Sequence, residues 1–168
     1  MASFRFSPIT DKEQLVDALT YIHAACHALC MQSLGQYLPV AGNIGVFCHF
    51  DEEYLRLTRI QQQLTDPADP VYGKYFKLHE PIHIAANNGI PEATYTHLYI
   101  RKPDPGKPQT GDLDFYMEPS SFTQLKQSVA NGGNDRGMRI LDRPDLDLVE
   151  LYDTDSDALG YIGTKLFR

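Results

Sequence analysis

Five candidate residues for moving protons or binding charge fall in one stretch, Thr94 to Met117, TYTHLYIRKPDPGKPQTGDLDFYM. They are His97, Arg101, Asp112, Asp114 and Tyr116. A histidine near a carboxylate has its pKa raised towards neutrality, which suits general acid–base work. An arginine can clamp a substrate carboxylate or phosphate through two parallel hydrogen bonds. Against this stands the plainer reading, in which Arg101 and an aspartate form a surface ion pair worth about 0–1 kcal/mol. Just upstream, His79 and His83 sit at even spacing in an extended segment, with the Asn87-Asn88-Gly89 turn between them and His97. Those three imidazoles together have the chemistry of a divalent-metal site, for zinc, iron, manganese or nickel.

Two strands must position the five residues. Side chains alternate along a strand. From Thr94 to Arg101, one face carries Thr94, Thr96, Leu98 and Ile100, and the other Tyr95, His97, Tyr99 and Arg101. From Asp112 to Met117, Leu113, Phe115 and Met117 share one face, and Asp112, Asp114 and Tyr116 the other. Pro103, Pro105, Gly106 and Pro108 make the segment between them a loop. If the two strands pair, their apolar faces share a core and the polar faces lie side by side over a hollow.

The chain ahead of this ribbon opens on a short lead-in with an edge strand at FRF, then a helix from Asp11 to about Gly35. Leu15, Leu19, Ile22, Cys26, Leu29 and Cys30 form its stripe. Little charge lies between Tyr21 and Leu34, so the helix is expected to be buried on more than one side, against its own domain or another copy of the chain. His23, Cys26, His27 and Cys30 share the helix, but four stems on one stripe cannot converge on a tetrahedral ion. Core cysteines with histidines at the edge are the better reading. A strand is expected from Gly42 to Phe50, and then a helix capped by Asp51. Gly73 to Ala86 reads as extended, with a break at Pro81. A third helix starts at Pro119 and ends at Asn131-Gly132-Gly133-Asn134. Three short strands close the chain, at Met138–Leu141, Leu148–Tyr152 and Leu159–Ile162.

Composition narrows the function classes. The 168 residues are 42% hydrophobic and 22% charged, which places them in one ordinary globular domain. With 15 basic against 22 acidic residues the chain carries −7, which argues against nucleic acid and against anionic lipid. The three cysteines, Cys26, Cys30 and Cys48, show no secreted-scaffold spacing, and no signal peptide or spanning run is read. A cytoplasmic protein is the expectation. No glycine-rich phosphate loop or G-x-S-x-G elbow occurs, and Cys48 and His49, adjacent on a strand, point to opposite faces.

The order of elements repeats. Gly42-Asn43-Ile44 and Gly111-Asp112-Leu113 each open a strand that leads into a helix and then into extended segments. GDLDFYMEPSSFTQLKQSVANGG and DRPDLDLVELY, within residues 111–152, resemble the vicinal oxygen chelate superfamily, the glyoxalase and bleomycin-resistance group, with a degenerate repeat at 42–101. The resemblance implies an α+β fold with a mostly antiparallel sheet, in which two β-α-β-β-β modules (42–101 and 111–163) form a cup behind a helical segment at 10–36. It also implies a divalent metal in that cup, with Glu150 at the position of the family's glutamate ligand. Asp112 or Asp114 stands where a histidine is usual, and Asn43 or Gly45 holds the matching place in the first module. Two functions follow as expectations. One is a small-molecule binder or metal-assisted enzyme using the polar face. The other is a non-catalytic binding or assembly protein that forms a homo-oligomer through its Ala/Cys-rich helix.

Overall fold

The computed structural model describes residues 6–132 and 137–168. Phe4 and Arg5 of the expected edge strand, and Gly133 and Asn134 of the expected helix end, lie outside the described residues. Helix α1 (Lys12–Leu34) begins where Asp11 accepts a hydrogen bond from the Gln14 amide at 2.8 Å. It stops at Gly35, in the left-handed region at φ 72°, whose N–H reaches the Met31 carbonyl. Then follow β1 (Val40–Phe47), α2 (Asp51–Leu64), β2 (Phe76–Ile84), β3 (Ala93–Arg101) and β4 (Gly111–Tyr116). After these come α3 (Pro119–Ala130), β5 (Met138–Arg143), β6 (Leu146–Leu151) and β7 (Ala158–Gly163).

The start of α2 departs from expectation. Asp51 is its first helical residue and the cap position is Phe50, which has no capping side chain. Glu53 in the first turn takes over. One carboxylate oxygen accepts from the His49 amide at 2.7 Å and the Ser7 hydroxyl at 3.0 Å, and the other from the Ile9 amide at 2.6 Å. These charge-assisted bonds tie the N-terminal segment to the helix.

The strands form one open sheet in the order β2-β3-β1-β4-β7-β6-β5. It is α+β and mostly antiparallel: only β1/β3 and β4/β7 run parallel. That order has an internal correspondence. In each half the opening strand lies parallel beside the closing strand, β1 beside β3 and β4 beside β7, and the two opening strands meet antiparallel at the centre. The second half has one strand more than the first. The two strands carrying the polar residues therefore do not pair directly. β1 lies between them, with Gly45 opposite both Tyr99 and Asp112.

One face of the sheet is apolar. Leu15, Leu19, Ile22 and Cys26 of α1 join Ile44, Val46, Leu113, Phe115 and Ile162 in a single core, reached also by Leu57 of α2 and Phe122 of α3. Each of the larger aliphatic and aromatic side chains contributes about 1.5–3 kcal/mol through burial. The breadth of α1's apolar surface is thus accounted for within the chain. Its remaining exposed face is short and mixed, with Asp17, Thr20, Ala28 and Met31.

Candidate functional site

The opposite face carries the site. Because Leu113 and Phe115 turn into the core, Asp112 and Asp114 turn away from it. With Tyr161 and Glu150 of β7 and β6 and Leu159 beside Asp112, they line a hollow of about 1360 Å³. Its walls come from four places. The loop before β2 brings Tyr72, Lys74 and Tyr75, the loop after β3 brings Gly106, Lys107 and Gln109, and the β5–β6 hairpin brings Arg139, Leu141 and Leu148. The C-terminal tail adds Lys165 and Phe167.

The floor is close-packed because β1 is narrow there. A Cβ on Gly45 would lie 2.5 Å from Asp112 Oδ1 and 3.3 Å from Tyr99. A Cβ on Gly42, where φ is 119°, would lie 2.8 Å from the Phe167 carbonyl. Glycine at these two places lets a carboxyl, an aromatic ring and the tail settle directly on the central strand. Asp112 is 5% exposed, and its Oδ1 has no hydrogen-bond partner among the described residues. The Asn43 amide lies fully buried beside Tyr75 and Asp114, yet neither of its polar atoms makes a hydrogen bond of good geometry. Buried polar atoms left unpaired in this way are uncommon.

Burial sets the protonation of the pair. It pushes Asp112 up to about 6, against the pull of Lys74, Arg101 and Lys107. It pushes Asp114 up to about 7, helped by the neighbouring Asp112 charge. Two interacting carboxyls titrate as a unit, so these values belong to the pair. The surrounding phenols of Tyr75, Tyr99 and Tyr161 are held neutral by burial and by the nearby carboxylates, Tyr99 against the pull of Arg101. The result is a pair of carboxyls able to give or take a proton near neutral pH.

The other sequence candidates sit differently. Arg101 lies over the Phe47 ring and pairs with Asp104 in the loop at 3.0 Å, rather than with Asp112 or Asp114. It still lines the hollow. His97 is completely buried beneath Tyr72 and Phe167, with ring centroids 4.4 and 5.4 Å away. Its Nδ1 engages the Thr96 hydroxyl at 2.9 Å, and its Nε2 has no partner. Burial and Lys77 lower its pKa, against the opposing pull of the Asp69 carboxylate. Tyr116 lies against Glu118 at the end of β4, outside the hollow. Glu150 is within the hollow and takes a 2.9 Å ion pair from Arg139. His79 and His83 are on the outer strand, half exposed, paired with Asp66 and Glu92. The four residues considered for a metal, His79, His83, His97 and Glu150, are therefore not gathered. Among the described residues, no group of three or more His, Cys, Asp or Glu side chains is placed to hold an ion.

Strand alternation along β3 also slips. Tyr95 and Leu98 both enter the core, where strict alternation puts them on opposite faces. The β2/β3 register shifts at the same place, between Lys77 and Ile82, around Pro81. Tyr95 consequently leaves the polar face and binds His23 Nδ1 on α1 at 2.7 Å. His23 and His27 are buried rather than at the helix edge, with burial lowering His23 to about 4. Cys26 and Cys30 are buried thiols that donate to the Leu159 and Gln36 carbonyls. Sequence reasoning missed Lys74, Tyr75, Lys107 and Tyr161. None belongs to a motif: Lys74, Tyr75 and Lys107 come from loops, and Tyr161 from a strand far along the chain.

No family model matches the chain, and no curated protein is detectably similar to it. Among the described residues, no helix is long and apolar enough to cross a membrane.

Proposed function

We propose that this protein binds a small polar molecule in the hollow, and that Asp112 and Asp114 exchange protons with it. The observation that carries this reading is the buried carboxyl of Asp112, seated on Gly45 with one oxygen unpartnered, at the floor of a hollow ringed by charged side chains. Leaving such an atom unpaired costs about 1–3 kcal/mol. Strain of this kind concentrates at functional sites, and the carboxyl that carries it lines the hollow. The pair as a unit can both give and take a proton near neutral pH. Kinship with the vicinal oxygen chelate group is part of this proposal, and it is supported by the repeated strand order of the two halves. The residues at that group's ligand positions do not make a metal set, so no step is routed through a metal. The assembly reading has no comparable support, because α1 spends its apolar face on its own sheet.

A thermal-shift screen of small polar metabolites, run on the protein and on the Asp112→Asn/Asp114→Asn double variant, tests the proposal. Compounds that stabilise the protein and lose their effect on the variant support it. Compounds that act equally on both place the binding elsewhere and remove the hollow from consideration.

A further inference from the structure

Six cations line the hollow of a chain whose net charge is −7: Lys74, Arg101, Lys107, Arg139, Arg143 and Lys165. Among the described residues four of them, Lys74, Lys107, Arg143 and Lys165, have no salt-bridge partner, and of these Lys165 donates to the Val71 carbonyl at 3.0 Å. The Lys74 ammonium instead lies 4.5 Å from the Tyr99 ring centroid and 5.6 Å from that of Tyr75. That cation–π placement holds it at the hollow without satisfying its three donors.

These cations do not serve simply to neutralise the floor. Among the described residues no salt bridge joins any of them to Asp112 or Asp114, and both carboxyls keep raised pKa values, Asp112 despite Lys74, Arg101 and Lys107 and Asp114 despite Lys74 and Lys165. The hollow therefore holds two unlike features: lysines with no carboxylate partner among the described residues, and a buried carboxyl oxygen with no donor. The aromatic side chains of Tyr75, Tyr161 and Phe167 stand among them. Aromatic walls beside hydrogen-bonding carboxyls suit the C–H faces and hydroxyls of a polyol. Free lysines and an arginine suit an acid group.

We propose that the ligand is a polyhydroxylated organic anion, a sugar phosphate or sugar acid. Its acid group is held by Lys74, Arg101 and Lys107, and its hydroxyls donate to Asp112 and Asp114. This inference rests on the binding role proposed for the hollow and adds the chemical class.

Calorimetric titration at low ionic strength with sorbitol 6-phosphate, gluconate, sorbitol, spermidine and inorganic phosphate tests it. Sorbitol 6-phosphate or gluconate is expected to bind at least about tenfold more tightly than sorbitol, and the Lys74→Gln/Lys107→Gln variant to lose about tenfold or more of that affinity. Asp112→Asn should weaken the anionic polyols while leaving inorganic phosphate unchanged. Sorbitol binding as tightly as its phosphate, or spermidine binding in preference to every anion, overturns the inference. If that binding is also lost in Asp112→Asn, the hollow is still the binding site and only the ligand class is wrong. Anion binding unaffected by the lysine substitutions places the acid group elsewhere and also overturns it. Silence from all five probes overturns it too, and the broader screen then decides whether the hollow binds anything.

Discussion

Replacing Asp112 by asparagine should make the protein more stable, and only at pH values where Asp112 ionises. Burial raises this carboxyl from its ordinary 3.8 to about 6. Below pH 3.8 it is protonated in both folded and unfolded chains and has no effect. Between pH 3.8 and 6 the unfolded chain releases the proton while the folded chain retains it, so stability falls as pH rises. Above pH 6 the loss is complete, at about 3 kcal/mol for a separation of roughly two pH units. Asparagine has the same shape and no charge, so Asp112→Asn removes that loss. Urea unfolding at several pH values reads the difference directly. The variant's advantage should grow from near zero at pH 4 to about 3 kcal/mol at pH 8. A difference that stays constant with pH, or a variant less stable than the parent throughout, would refute the claim that Asp112 is an ionisable group held in a desolvated site.

Two further outcomes follow from the packing. Gly45→Ala places a methyl 2.5 Å from Asp112 Oδ1, and should cost about 1–3 kcal/mol in urea unfolding. Adding Asp112→Ala to it should recover much of the loss, because the two sites are in direct contact. Tyr95→Phe removes the hydroxyl that engages His23 and should cost about 1–3 kcal/mol, while ligand affinity is unchanged because that bond lies on the α1 side of the sheet.

Much of this arrangement is legible in the sequence. Asp112, Leu113, Asp114 and Phe115 alternate without interruption, so period two alone sends the two aspartates to one side. The strand–helix openings read at Gly42 and Gly111 likewise foretell β1 leading into α2 and β4 leading into α3. Three features were hidden. β1 separates the two polar strands, and strand neighbours are set by long-range pairing rather than by the loop that joins them in sequence. Tyr95 changes face because Pro81 breaks the β2/β3 register, an effect one strand exerts on another. His79 and His83 look like ligands by spacing, yet each has a carboxylate partner on the outer edge that no periodicity reveals. Lys74, Lys107 and Lys165 come from loops and the C-terminal tail, where position depends on the whole fold.

The central claim is that Asp112 and Asp114 are the working carboxyls of a ligand-binding hollow. A carbon-13 NMR titration of those two side chains, with and without a bound polyol anion, tests it most directly. Apparent pKa values near 6 and 7, both displaced on ligand addition, are the expected result. Titration of both groups close to 3.8, indifferent to every ligand, would contradict it.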